Sequence, residues 1–215
     1  MRIISPSILS ADFGQLEQET LMLNESAAEW IHIDVMDGLF VPNISFGFPI
    51  LKSVKQHATK TLDVHLMIVS PERYIEQFAK DGADIIVFHL EATEAHISTI
   101  EAIKRYGKKA GVSIKPNTPA SAIKELLPLL DVVLVMSVEP GFAGQKFDEN
   151  AITKVREIKE MINACGCNTL IEVDGGINAK NAPLLFEAGA DAIVAGSSVF
   201  SAADPKLAIL ELLNA

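Results

Sequence analysis

The chain has 215 residues, 49% hydrophobic and 21% charged, with 18 Lys and Arg against 28 Asp and Glu for a formal net charge of −10. That composition excludes a disordered or low-complexity polymer. The acidic balance repels phosphate backbones and anionic lipid, so neither nucleic acid nor a membrane surface is an expected partner.

Met1-Arg2-Ile3-Ile4-Ser5-Pro6 has too little charge and apolar length for a secretory signal. No run approaches the ~18 apolar residues of a membrane span. Cys165 and Cys167 are too few and too close for a disulfide framework, which points to a reducing compartment, and a cytoplasmic address is expected. Gly166 between them reads as a helix stop rather than part of a metal-binding pair.

In chain order, strands are predicted at residues 3–9, 30–35, 62–67, 85–90, 110–114, 132–136, 169–173 and 192–195, with helical periodicity between them. Helix starts are predicted at Ser70-Pro71, Thr118-Pro119 and Asp204-Pro205, each a capping residue before a first-turn proline. Three helix-to-strand junctions resemble one another: Ser26-Ala27-Ala28-Glu29, Asp81-Gly82-Ala83-Asp84 and Ala188-Gly189-Ala190-Asp191. A repeated βα unit follows. Eight units in 215 residues leave roughly 27 each, close to the minimum for strand, loop, helix and loop. The expectation is an α/β fold, one (β/α)8 barrel over residues 1–215, with function at the C-terminal strand ends.

Period-two alternation puts His32 and Asp34 on one face of the second strand and Ile31, Ile33 and Val35 on the other. Asp63-Val64-His65 on the third strand and Glu172-Val173-Asp174 on the seventh show the same polar parity. His32, Asp34, His65 and Asp174 therefore converge at the barrel mouth. Two buried carboxylates repel unless a cation separates them, and this donor set suits zinc, iron, manganese or cobalt. Asp63 is a candidate to fix an imidazole tautomer. Aspartates from opposite sides of a ring also suit two-base proton exchange, one removing a proton alpha to a carbonyl and the other returning one to the opposite face. A metal on the substrate oxygens would stabilise the enediolate.

Glycine-rich turns at Gly141-Phe142-Ala143-Gly144, Gly175-Gly176 and Gly196-Ser197-Ser198 offer backbone N–H groups to a phosphate. His57 and His96 read as solvated, His89 as a strand-end residue at the mouth or in a structural hydrogen bond, and Trp30 as packed beneath the helices. The residues 138–147 form a loop able to close over substrate.

Pro6-Ser7-Ile8-Leu9-Ser10-Ala11-Asp12, His32-Ile33-Asp34-Val35-Met36-Asp37-Gly38 with Phe40-Val41-Pro42-Asn43, Asp63-Val64-His65-Leu66-Met67, Pro140-Gly141-Phe142-Ala143-Gly144-Gln145 and Glu172-Val173-Asp174-Gly175-Gly176-Ile177 together resemble the ribulose-phosphate 3-epimerase family over essentially the whole chain. The resemblance implies a barrel of the ribulose-phosphate-binding type. It implies one divalent cation on His32, Asp34, His65 and Asp174, with Asp34 and Asp174 as acid and base at C3 of a ketopentose 5-phosphate. By the same carry-over, Ser7 contacts substrate, and Gly141, Phe142, Ala143, Gly144, Gly175, Gly176, Gly196 and Ser197 line the pocket with His65 and Asp174. Met36, Met67 and Met136 match methionines near the reacting carbons, against ordinary core filling. A homo-oligomer is also implied.

Ala143 departs from a Gly-Phe-Gly-Gly turn and resembles the allulose-6-phosphate 3-epimerases, which makes the hexose phosphate the alternative substrate; Asp174-Gly175-Gly176-Ile177 favours the pentose. Lys115 stands where relatives often carry asparagine and is the one candidate for a Schiff-base lysine. That chemistry leaves the four-residue cluster unused. A non-catalytic sugar-phosphate-binding barrel predicts a degraded cluster, and the cluster is complete.

Overall fold

The structure, a computed structural model, describes residues 2–215. Its elements are β1 (Ile3–Pro6), α1 (Leu16–Glu25), β2 (Trp30–Met36), α2 (Phe48–His57), β3 (Thr61–Met67), α3 (Ile75–Asp81), β4 (Ile85–His89), α4 (His96–Arg105), β5 (Lys109–Ile114), β6 (Val132–Met136), α5 (Asn150–Cys165), β7 (Leu170–Asp174), α6 (Ala182–Ala188), β8 (Ala192–Ala195), α7 (Ser197–Phe200) and α8 (Pro205–Asn214). All eight predicted strands form. The first is shorter than expected, because the chain turns into a 3-10 segment at Ile8–Ser10.

Each strand pairs in parallel with its neighbours in the order β1-β8-β7-β6-β5-β4-β3-β2. The ring closes between β1 and β2, where Ser7 bridges His32 and the Glu29 N–H donates to the Ile4 carbonyl. This is the expected parallel barrel. Among the described residues no helix is long and apolar enough to cross a membrane.

Alternation along each strand sorts residues into two cores. Ile31, Ile33, Val64, Leu66, Val133, Val135, Ile171 and Val173 face outward and pack with helix residues such as Leu51, Phe78, Ile158 and Leu185. Each such aliphatic side chain contributes about 1.5–3 kcal/mol on burial. The opposite parity fills the barrel with Ile3, Trp30, Ile85, Val87, Val132, Leu134 and Ala192. Trp30 therefore plugs the barrel interior and does not lie beneath the helices, since it shares the parity of His32 and Asp34.

The predicted start at Thr118-Pro119 does not open an α-helix. The β5–β6 connection folds as 3-10 turns at Ala120–Ile123 and Leu127–Leu129. Pro128 lacks an N–H and its ring collides with the carbonyl four residues back, so a helix begun at residue 120 cannot run through it. Ser70-Pro71 likewise opens a 3-10 turn, with Ser70 in the left-handed region at φ 49° and α3 beginning only at Ile75. Asp204 caps α8 as expected, accepting from the Leu207 N–H at 3.1 Å.

A repeated anchor holds the lower rim. Asp84, Asp131 and Asp191, each just before a strand, accept the N–H of Leu62, Ala110 and Ile171 on the preceding odd-numbered strand at 2.8–3.0 Å. Lys55, Lys104 and Lys159 from the surrounding helices lie 3.4–3.8 Å from the same carboxylates. The chain thus satisfies edge N–H groups that no strand residue reaches. At the end of α5, Gly166 takes φ 68° as the predicted stop, and the turn brings Cys165 and Cys167 into a local disulfide with Cα atoms 5.4 Å apart. It spans one residue, so it is no framework.

Candidate active site

The C-terminal ends of β2, β3 and β7 bring together the four predicted residues. Donor atoms of His32, Asp34, His65 and Asp174 lie within 4.8 Å of one another. His32 and His65 are fully buried and Asp34 is 4% exposed.

Hydrogen bonds decide what each nitrogen presents. His32 Nδ1 donates to Asp63 Oδ2 at 2.5 Å, which leaves the Nε2 lone pair facing Asp34 Oδ1 at 3.3 Å. That Nε2 has no hydrogen-bond partner among the described residues. His65 Nδ1 also faces Asp34 Oδ1, at 3.0 Å. Imidazole lone pairs converging on a carboxylate oxygen form an acceptor-only cage, which is stable only with a positive charge inside. These residues fit a divalent cation. Asp63, predicted as the tautomer-fixing partner, stands where that role needs it.

A proton can play the cation's part. Burial alone would lower the His32 pKa, but Asp34 and Asp63 outweigh it and hold the ring protonated well above its usual range. Asp34 is raised by burial, but the His32 and His65 rings beside it overcome this and keep it well below the ordinary carboxylate range. Asp174 goes the other way: burial and the Asp34 charge push it up to about 6. The two carboxyls at one mouth are therefore pushed apart in proton affinity, Asp34 below and Asp174 above the ordinary carboxylate range, as suits an acid and a base.

Above the cluster lies a cleft bordered by Ser7, Met36, Met67 and Met136, by the glycine turns at 141–144 and 175–176, and by Gly196 and Ser197. Asp34 and Asp174 open into it, whereas His32 and His65 sit beneath. Ser7 Oγ donates to Asp34 Oδ2 at 2.5 Å and so orients the carboxylate besides facing the cleft. Phe142 is 54% exposed at the rim. Among the described residues Ser70 is the sole non-glycine with positive φ, so Ala143 meets no backbone penalty. Gly176 is required by its surroundings: at φ 62°, an added Cβ would sit 2.4 Å from the Phe147 nitrogen and 2.6 Å from the Gln145 carbonyl oxygen. Asn43 Nδ2 ties the same loop to the β2–α2 connection through the Gly141 carbonyl at 2.7 Å.

Lys115 lies at the rim with its ammonium 4.2 Å from the Phe40 ring centroid. His96 is half-buried with Nε2 donating to the Leu90 carbonyl at 2.8 Å, rather than solvated, while His57 is partly exposed beside Glu17. His89 is fully buried against His65 and Glu91. Sequence reading missed Glu91, and it missed Leu9, Ser10, Pro140, Ile177 and Val194 in the cleft wall. It named Glu172 but gave it no role; the residue is wholly buried with neither oxygen hydrogen-bonded among the described residues and its carboxyl pushed well up by burial and by Asp63. Parity on β4 and β7 carried a signal for His89 and Glu172; Glu91 carried none.

The sequence pattern of the ribulose-phosphate 3 epimerase family matches residues 3–200. The chain belongs to the ribulose-phosphate 3-epimerase family. It is 50% identical to the ribulose-phosphate 3-epimerase of Bacillus subtilis over 210 residues, covering 97% of each chain. It is 48% identical to that of Synechocystis sp. over 214 residues, covering 99% of this chain and 93% of the relative. Membership in this family of epimerases makes it an isomerase. Solved structures share the fold at low identity. A 3-hexulose-6-phosphate synthase superposes with a TM-score of 0.71 at 20% identity, covering 99% of this chain and 98% of that one. KGPDC from Streptococcus mutans does so at 0.75 and 15%, covering 100% and 96%.

Proposed function

We propose that this protein interconverts D-ribulose 5-phosphate and D-xylulose 5-phosphate by two-base epimerisation at C3, with residues 1–215 acting as one domain. The observation that carries the reading is the pairing of an ionised Asp34 with a protonatable Asp174 at one mouth, in a chain of this family. Asp34, held by Ser7, takes the C3 proton from one face of the sugar. Asp174 gives its proton to the opposite face, and the roles reverse for the return reaction. His32, Asp34, His65 and Asp174 would hold a divalent cation, which when bound supplies positive charge against the negative charge that develops on the substrate oxygens.

The phosphate is met by backbone. α7 begins at Ser197; the Val199 and Phe200 N–H groups bond the Gly196 carbonyl, which leaves those of Ser197 and Ser198 for the phosphate, at the cleft that Gly196 and Ser197 line with Gly175 and Gly176. Met36, Met67 and Met136 cover the carbons and keep water from the carbanionic species. Homo-oligomerisation belongs to the same reading, supported by Leu39 and Ile44 near the mouth, which are 77% and 75% exposed. A cytoplasmic location belongs to it as well.

The test is turnover of D-ribulose 5-phosphate against D-allulose 6-phosphate by the cation-loaded protein. Higher kcat/KM on the pentose is expected, and preference for the hexose would move the assignment to the hexose-phosphate epimerases. Absence of turnover on both would overturn the catalytic reading.

A further inference from the structure

Beyond the four-residue cluster, a chain of hydrogen bonds runs outward from His65. His65 Nε2 faces His89 Nε2 at 2.9 Å, and His89 Nδ1 faces Glu91 Oε2 at 3.3 Å. His89 is fully buried and the Glu91 side chain is one quarter exposed. The other Glu91 oxygen, Oε1, is occupied by two donors from the start of the β5–β6 connection, the Lys115 N–H at 2.9 Å and the Thr118 hydroxyl.

These contacts have one consistent proton arrangement. Glu91 is acceptor-only, so His89 must carry its proton on Nδ1, which makes its Nε2 a lone pair. The facing His65 Nε2 must then be the donor. A neutral imidazole has one N–H, so His65 Nδ1 is left as a lone pair, aimed at Asp34 Oδ1 3.0 Å away. We propose that His89 and Glu91 are positioning residues that fix the tautomer and ring orientation of His65, presenting its Nδ1 lone pair to a divalent cation.

The surroundings lock the chain in place. The Phe40 ring packs 4.8 Å from the His89 ring, with the Lys115 ammonium on Phe40. The connection that binds Glu91 is held by Lys154 of α5, whose ammonium donates to the carbonyls of Lys115, Pro116 and Thr118 at 2.7–2.9 Å. Prolines keep this stretch out of an α-helix, and of the three carbonyls that of Lys115 also accepts from the Thr118 N–H at 3.1 Å. His32 has the shorter version of the same device in Asp63. The two imidazoles are thus set independently, one by a direct carboxylate and one by a carboxylate acting through a second imidazole.

The inference rests on the cation reading of the cluster, and the experiment separates the two. The protein is stripped with a chelator and titrated with Co²⁺, following the visible d–d bands and a competing chelator. Glu91→Gln is the decisive variant. Oε1 must still accept from Lys115 and Thr118, so the amide turns its NH2 toward His89. This reverses both tautomers and protonates His65 Nδ1. Co²⁺ binding about 10–100-fold weaker with altered bands is expected for Glu91→Gln and for His89→Leu. His89→Gln, which can accept from His65 and donate to Glu91, is expected to recover most of the affinity. Wild-type affinity and bands in both Glu91→Gln and His89→Leu would overturn the proposal. Equal weakening in all three variants, with a matching fall in the thermal midpoint of the stripped protein, would also overturn it in favour of a packing role. Failure of the wild-type protein to bind Co²⁺ would remove the cation reading and this proposal with it.

Discussion

His32 donates its Nδ1–H to Asp63 Oδ2 over 2.5 Å, and both side chains are wholly buried in the barrel wall. One carboxylate thus decides which nitrogen of His32 faces Asp34. Asp63→Asn keeps the shape but lets an amide N–H face the ring, which favours the wrong tautomer. The expected result is about 10–100-fold weaker divalent-cation binding, measured by calorimetric titration of the stripped protein. Unchanged affinity would show that ring orientation comes from packing alone.

Asp34→Asn and Asp174→Asn should each cut epimerisation by about 10²–10⁴-fold, the usual contribution of a positioned acid or base. The two-base reading makes a sharper claim about proton exchange. In D2O, Asp174→Asn should exchange the C3 proton of only one of the two epimers, and Asp34→Asn of only the other. Mass spectrometry of recovered sugar phosphate checks this. Exchange of both epimers by either variant would point to a single base reaching both faces.

Cation binding should depend on pH with a definite sign. Asp174 is pushed up to about 6 and His32 above its usual range when no cation shares the site, so a cation must displace those protons. Affinity should rise with pH through about 6 and beyond, and fall below it. Stability of the stripped protein follows from the same shifts. A carboxyl raised in the folded state favours folding below its unfolded value of 3.8, and that contribution is lost as pH rises through about 6. Added cation should restore the loss. Thermal midpoints with and without Co²⁺ between pH 4 and 8 provide the measurement, and a cation-induced shift independent of pH would contradict it.

Glu91 has the opposite linkage. Burial works against its charge, but His89, Thr118 and the Lys115 N–H bring it down to about 2 from 4.5. Its contribution to stability is therefore complete above about 4.5 and disappears as pH falls toward 2. Glu91→Gln should flatten the acid limb of a stability-against-pH curve in that window. An unaltered acid limb would mean the carboxylate is not held as described.

Gly176→Ala should cost about 1–3 kcal/mol, the strain of a non-glycine held at positive φ, with the contact at Phe147 adding to it. Because the Cβ presses on residues 145–147, KM for the sugar phosphate should rise together with the fall in urea midpoint. A change in stability with KM unchanged would separate that loop from substrate binding.

The parts legible in sequence were those written in local periodicity. Alternation of two along residues 30–36, 61–67 and 170–174 determined the strands and also which polar residues entered the barrel, because a strand residue's face depends only on its parity. The same rule would have put Trp30 inside had it been applied there. Helix starts were less secure: Ser70-Pro71 and Thr118-Pro119 carry the signature of a start yet open 3-10 turns, because a capping pair promises only its first turn and Pro128 forbids the continuation downstream of Thr118.

What only the tertiary structure decided was which atom meets which. Asp63 could be guessed as partner to an imidazole, but that the imidazole is His32 could not, and Glu91 reaches His65 through His89 and is anchored by residues 24 and 27 positions further along the chain. Asp84, Asp131 and Asp191 cap strands from 20 to 22 residues away. Side-chain hydrogen bonds of this length depend on the closure of the ring and the path of its connections, and no local pattern encodes them. Sequence by itself determined the barrel and the residues at its mouth; the closed ring decided the tautomers and proton positions on which their chemistry depends.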